Sequence, residues 1–273
     1  MNLLLITNNP SEAVNAENLG ISRIFIDLEL IGKKKRQEHK NTFISDHTFE
    51  DIYKVRKVVR KAKILTRLNP FWENTRNEID RAIEFGTDIL MLPMIRKVSH
   101  LKDFVKHVDK RVEVIPLIET KESLKEINSI IDIDSIQEVF FGLNDLSIDL
   151  NKNFLFEFLA DGTIEDAAKK VKAKRKKFGF GGIGKIGKDD HIPAELILSE
   201  HVRLGSSSVI LSRSFRYEDS SCNKKISRHG FSQEVEKIFS TYSALIESNK
   251  ITLDQNKVIL NNKVKNYLDS RND

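Results

Sequence analysis

Five apolar runs in this chain end in charge. They are Ile26-Asp27-Leu28-Glu29, Thr66-Arg67-Leu68-Asn69-Pro70, Pro116-Leu117-Ile118-Glu119-Thr120, Phe141-Gly142-Leu143-Asn144-Asp145-Leu146-Ser147 and Leu211-Ser212-Arg213. Taken singly, each has a plain structural explanation. A carboxylate that closes a strand caps the following helix, and a lone arginine makes an ion pair. Taken together they suggest a site. If the five ends meet, Asp27, Glu29, Glu119 and Asp145 repel one another unless a cation compensates. An all-oxygen set with no His or Cys cluster suits Mg²⁺ or Mn²⁺ better than zinc. Arg67 in such a place would hold a substrate carboxylate through a two-pronged contact or stabilise a developing oxyanion.

The elements that must position these residues follow from hydrophobic periodicity. Strands are predicted at Leu3–Ile6, Arg23–Leu28, Lys63–Leu68, Ile89–Pro93, Val112–Ile118, Glu138–Gly142, Phe178–Ile183 and Ser208–Leu211. Helices are predicted between them, over 10–19, 48–60, 73–85, 97–107, 120–131, 163–177 and 191–203, with another at 229–248 after the last strand. Asn9-Pro10-Ser11-Glu12, Asp46-His47-Thr48-Phe49-Glu50 and Asp161-Gly162-Thr163 supply N-terminal caps, and Gly20, Gly86 and Gly205 stand where helices should stop. Strict alternation means a parallel sheet. Eight units predict an α/β fold closed as a (β/α)₈ barrel, with an open doubly wound sheet as the structural competitor. The barrel is expected to occupy residues 1–249 and a helical tail residues 250–273, packed on the barrel or on a neighbouring subunit. In such a barrel the strands' C-terminal ends form the active face.

Composition agrees with one large soluble domain. The chain has 273 residues, 40% hydrophobic and 31% charged, with a net charge of +5. One cysteine, Cys222, excludes an internal disulfide framework and fits a reducing, cytoplasmic setting. The first residues do not read as a signal peptide, and no run approaches the length of a membrane span. The basic run Lys33-Lys34-Lys35-Arg36 and the stretch 169–177 are expected on solvated surface. No nucleic-acid module accompanies them, so neither nucleic acid nor membrane is expected as a partner.

Other chemistries fit less well. Gly182-Ile183-Gly184-Lys185-Ile186-Gly187 matches the dinucleotide pattern, but it follows the seventh strand and no acid closes the next one. It is read either as a tight turn or as glycine-rich backbone that lets a substrate approach. Lys63 lies at the wrong end of its strand for a Schiff base, Lys185 lies in a loop, and no GxSxG elbow occurs. Cys222 has no obvious activating partner. The apolar segment Phe154–Phe158 is read first as core, and otherwise as a cover for the pocket.

In these same residues, and over roughly 20–215, the chain resembles the HpcH/HpaI aldolase family, grouped with the citrate lyase beta subunit. The resemblance rests on Ile24–Glu29, Arg67-Leu68-Asn69-Pro70, Met91-Leu92-Pro93-Met94, Pro116–Thr120 and Gly142–Ser147. It implies a divalent metal on Glu119 and Asp145, an arginine, Arg67, that binds the keto-acid carboxylate and stabilises an enolate, and acids Asp27 and Glu29 that hold metal-bound water. It also implies a carbon–carbon lyase of aldolase type acting on a 2-keto acid such as pyruvate. The alternative is a lyase acting on a CoA or acyl-carrier thioester. Many members are hexamers, so a homo-oligomer, trimer or hexamer, is expected. Backbone amides around Thr120, Ser147, Gly181 and Gly182 are expected to complete the substrate site. Two positions depart from the family. Leu30 stands where the keto-acid aldolases carry a histidine, which leaves His39 and His47 as candidates for proton transfer. Leu143-Asn144 stands where Pro-Ala is usual. A third reading follows from the missing histidine: a metal-binding barrel that serves as a binding or regulatory subunit.

Overall fold

The protein is described by a computed structural model that covers residues 1–33, 45–188, 191–215 and 228–271. Eight strands run parallel and close on themselves: β1 (Asn2–Ile6), β2 (Arg23–Asp27), β3 (Lys63–Arg67), β4 (Ile89–Leu92), β5 (Glu113–Ile118), β6 (Glu138–Phe141), β7 (Lys177–Ile183) and β8 (Ser208–Leu211). β1 pairs with β2 on one side and β8 on the other, so the sheet has no edge. The expected closed barrel is therefore the fold, and the open sheet is excluded.

Period-two alternation divides each strand between two cores. Leu4, Phe25, Leu65, Ile89, Met91, Ile115, Leu117 and Phe140 fill the barrel interior. Their chain neighbours, including Ile24, Ile26, Ile64, Leu90, Ile118, Val139 and Phe141, face the helices and join the larger outer core. The same alternation aims the charged residues. Asp27, Arg67 and Glu119 each lie two positions beyond an inward residue (Phe25, Leu65 and Leu117), so they point inward at the C-terminal rim. Arg23 and Glu138 lie two positions before Phe25 and Phe140, at the opposite end. There Arg23 donates to both Glu138 carboxylate oxygens at 2.8 and 2.6 Å, and Ser208 donates to the same carboxylate at 2.6 Å. The interior is thus an apolar plug between two charged layers.

Around the barrel lie α1 (Pro10–Asn18), α2 (Phe49–Val58), α3 (Thr75–Glu84), α4 (Val98–Val108), α5 (Lys121–Lys125), α6 (Ile127–Ile131), α7 (Leu143–Asp149), α8 (Glu157–Ala160), α9 (Thr163–Ala173), α10 (Ala194–Leu204), α11 (Arg228–Glu247) and α12 (Lys250–Asp269). Three differ from the sequence reading. The helix expected over 120–131 is two short helices hinged at Glu126. The segment after β6 coils at once into α7 and then α8, because Leu143, Leu146, Phe158 and Leu159 bury an apolar face there. The sixth expected helix stops at Ala173, and Lys177 at the end of the basic stretch already belongs to β7.

The tail beyond residue 249 is α12, started by Asn249, whose side chain accepts from Thr252 N at 2.9 Å. It lies on the barrel. Leu260 and Val264 are buried in the outer core, Asn256 donates to Ser199 of α10 at 3.0 Å, and Lys257 stands 3.6 Å from Glu200. Among the described residues no helix is long and apolar enough to cross a membrane.

Candidate active site

At the C-terminal rim the ends of β2 and β3 are locked together. Arg67 donates from Nε to Asp27 Oδ1 and from a terminal nitrogen to Asp27 Oδ2, both at 2.9 Å. Glu29 Oε2 lies 3.4 Å from Arg67 Nε. Lys33 folds back from the loop after β2, and its Nζ donates to Asp27 Oδ2 at 2.7 Å and sits 3.7 Å from Glu29. Burial works to raise the Asp27 pKa, but the adjacent Arg67 and Lys33 outweigh it and hold the carboxyl far below the usual range. Burial likewise opposes charge on Arg67, and Asp27 and Glu29 overcome it, so the guanidinium stays ionised.

Asn69 shapes the turn that brings Lys33 in. Its side-chain oxygen accepts from the backbone of Leu30 at 2.8 Å and Ile31 at 2.9 Å, and its amide donates to Glu78 at 2.7 Å. Leu30 consequently points outward, 57% exposed. The surface expectation for the first basic run is corrected at Lys33: that side chain is only 4% exposed and lines the cavity. Lys34, Lys35 and Arg36 lie outside the described residues, as do His39 and Cys222. His47 takes a backbone role, with Nδ1 accepting from the Asp27 amide at 3.0 Å.

Glu119, the residue after β5, stands in the same rim. Its Oε1 accepts from Met94 N at 2.9 Å, and the residue is 2% exposed. Burial, followed by the carboxylates of Asp145 and Glu29, raises its pKa well above the ordinary value; Arg67 and the Met94 amide oppose this. Asp145, in the first turn of α7, lines the same cavity. Gly142 makes room for the pair. A β-carbon there would lie 2.8 Å from Glu119 Oε2 and 2.9 Å from Glu119 Cβ. Among the described residues no cluster of three or more His, Cys, Asp or Glu side chains forms a metal cage. Two hard oxygen donors lining one roomy cavity nonetheless fit Mg²⁺ or Mn²⁺, since Mg²⁺ keeps several waters and needs only one or two carboxylates.

The expected amide cradle is corrected in part. Thr120 and Ser147 are buried and lie outside the cavity lining. Thr120 caps α5: its hydroxyl donates to Ile95 O at 2.6 Å and accepts from Ser123 N at 3.0 Å, and its own amide donates to Ser123 Oγ at 3.1 Å. Ser147 bonds back to Asn144 O at 2.7 Å within α7. A helix that begins directly after the strand claims these donors. Gly181 and Gly182 do line the cavity, at the register shift between β7 and β8. Gly181 has φ of +51° and meets Leu143 at 3.1 Å from the position of a β-carbon, so backbone alone forms the wall there.

The cavity measures about 630 Å³. Charge occupies one side, where Asp27, Lys33, Arg67, Glu119 and Asp145 gather. Phe154, Leu155, Phe156 and Ile192 give much of the rest an apolar wall. The segment read first as core is therefore divided: Phe154–Phe156 face the cavity, and Phe158 is buried. Tyr267 of α12 backs this wall, with its ring 4.1 Å from Phe154 and 4.7 Å from His191, centroid to centroid. His191 had no signal in the sequence; it lines the cavity with its ring packed against Tyr267 of α12. Arg213 lies at the far margin, after β8.

A family model described as HpcH/HpaI aldolase/citrate lyase matches residues 5–190. The chain belongs to the HpcH/HpaI aldolase/citrate lyase family. Membership makes it a lyase of the aldolase/citrate lyase type. Solved structures share the barrel. An HpcH/HpaI aldolase from Desulfitobacterium hafniense DCB-2 is 16% identical, with 77% of this chain and 85% of that one covered and a TM-score of 0.57. An HpcH/HpaI aldolase/citrate lyase family protein from Burkholderia cenocepacia J2315 is 14% identical over 78% and 89%, with a TM-score of 0.59. A citrate lyase from Burkholderia xenovorans LB400 is 11% identical over 88% and 76%, with a TM-score of 0.63. At these identities the likeness carries the fold alone. No curated protein matches the chain by sequence.

Proposed function

We propose that this family member is a divalent-metal-dependent carbon–carbon lyase of aldolase type that acts on a 2-keto acid through its enolate. One observation carries the reading. Glu119 is buried beside Asp145 and Glu29, and burial, followed by the charge of those two carboxylates, raises its pKa well above the ordinary value. In this group Asp27, Glu29, Glu119 and Asp145 face Arg67 and Lys33, four acids against two cations. One divalent ion balances that set.

Glu119 and Asp145 are the residues that would hold the ion. A bound Mg²⁺ or Mn²⁺ would supply Lewis-acid polarisation of the substrate's keto oxygen. The chain's own groups do the rest. Arg67 stands beside the acids in a cavity drier than water, where a fixed cation stabilises developing negative charge most strongly. Asp27 and Glu29 hold that guanidinium in place before substrate arrives, so little reorganisation is needed during reaction. The apolar wall at Phe154–Phe156 would exclude water and receive the carbon skeleton of the second reactant.

The test is solvent deuterium exchange into the methyl group of pyruvate, with Mg²⁺, with Mn²⁺ and with chelator. Exchange that needs the metal is the expected result. A metal-loaded protein that leaves pyruvate undeuterated would sink the reading and favour a binding or regulatory subunit.

A further inference from the structure

Lys33 is a buried cation whose place in the site bears on substrate choice. Its Nζ and a terminal nitrogen of Arg67 both donate to one atom, Asp27 Oδ2, at 2.7 and 2.9 Å. One oxygen therefore holds an ammonium and a guanidinium side by side. Arg67 is already fixed by its own two bonds to Asp27, so Lys33 is not required to orient it. Burying a lysine costs desolvation and side-chain entropy. Both cations also line the cavity. An ammonium carries three donors and a guanidinium five. Lys33 directs one hydrogen bond and Arg67 two toward Asp27, which leaves donors for a ligand.

We infer that Lys33 and Arg67 form a two-cation cradle for the substrate's free carboxylate, which selects a 2-keto acid over its neutral amide, ester or thioester. The inference rests on the keto-acid reading above and sharpens it. A carboxylate lying across both groups gains charge-assisted hydrogen bonds from each. A thioester or amide carbonyl in the same place is uncharged: it accepts only ordinary hydrogen bonds from the two cations, which stay paired with Asp27, and forgoes the charge assistance a carboxylate receives. A site built to pair a polar group discriminates strongly against a ligand that lacks it. A lysine that only stiffened the loop after β2 would treat charged and neutral substrates alike.

The experiment compares deuterium exchange into the methyl groups of pyruvate and pyruvamide, with Mg²⁺ present. It uses the wild type, Lys33→Met and Lys33→Arg, with melting curves to establish that each is folded. The wild type should prefer pyruvate by about a hundredfold in kcat/KM, and Lys33→Met should cut that preference roughly tenfold or more. The loss should fall mainly on the KM for pyruvate and leave pyruvamide little changed. Lys33→Arg should restore much of the preference. Equal loss on both substrates, or no change on pyruvate, overturns the cradle and leaves the keto-acid lyase standing. A wild type that exchanges neither substrate overturns the keto-acid reading and the cradle with it. If Lys33→Met does not fold, Lys33→Gln takes its place. Binding of oxamate and neutral oxamide to the wild type gives a second measure, and equal affinity for the two also overturns the cradle.

Discussion

Glu119 and Gly142 stand so close that no side chain fits between them. A methyl group at Gly142 would lie 2.8 Å from Glu119 Oε2 and 2.9 Å from its β-carbon, inside van der Waals contact. Gly142 is the residue between β6 and α7, so it also sets the path of the chain to Asp145. Gly142→Ala should displace Glu119 and disturb both proposed metal ligands at once. The overpacking is expected to cost about 1–3 kcal/mol of stability. Metal-dependent exchange should fall by roughly tenfold or more, since misplaced catalytic geometry is costly. Calorimetric Mg²⁺ titration checks this, and an unchanged affinity in the variant would contradict it.

The raised pKa of Glu119 predicts how stability varies with pH. Its folded value lies above the 4.5 of an ordinary glutamate. The folded state therefore holds this proton more tightly than the unfolded chain does. The resulting stabilisation is complete below about 4.5 and is lost as pH rises toward the folded value. Asp27 runs the other way: its folded pKa is depressed, so its contribution is present above its unfolded value of 3.8 and is lost only as pH falls below that. In chelator, the melting temperature of the wild type relative to Glu119→Gln should fall as pH rises from 5 to 8. Adding Mg²⁺ should reverse the fall in the wild type and do little in Glu119→Gln. Parallel curves for the two proteins would remove Glu119 from the proton and metal account.

Arg67→Lys tests whether geometry or charge matters at the second proposed element. Lysine keeps the charge but cannot make the paired contact to Asp27 or present a planar face of donors. The variant should fold, because Asp27 still meets two cations, Lys33 and the new amine. It should lose most of its exchange activity, by about two orders of magnitude, in kcat more than in KM. Wild-type turnover in Arg67→Lys would take Arg67 out of the reaction.

How much of this was legible in the chain depends on range. The barrel was readable because alternation is local: each strand announces its inward face every second residue, and Asp27, Arg67 and Glu119 continue that face past Phe25, Leu65 and Leu117. Lys33 was not readable. Its burial depends on a turn pinned by Asn69, from the loop after β3, and a run of four basic residues by itself looks like surface. Thr120 was misplaced because an amide just past a strand resembles an anion cradle until the next helix claims it, and Ser147 because the helix it lies within, α7, gave no signal of its own. His191 and Phe154 pack their rings against Tyr267, more than seventy positions later than either. Arg23 and Glu138 gave no signal as a pair, since 115 residues separate them.

That last pair separates folding from chemistry. Arg23 and Glu138 are both buried at the N-terminal end of the barrel, with the apolar plug between them and the rim acids. Glu138→Ala leaves the Arg23 charge buried without its partner and deprives Ser208 of its acceptor. Such a break costs about 3–5 kcal/mol. Replacing both members together, as Arg23→Met with Glu138→Leu, removes the stranded charge and should recover much of that loss. Denaturant unfolding measures both effects. Exchange per folded molecule should stay near wild type in each variant, because conservation of the rim geometry does not depend on this end. A selective loss of turnover in the folded Glu138→Ala protein would show that the two charged layers are coupled through the barrel interior.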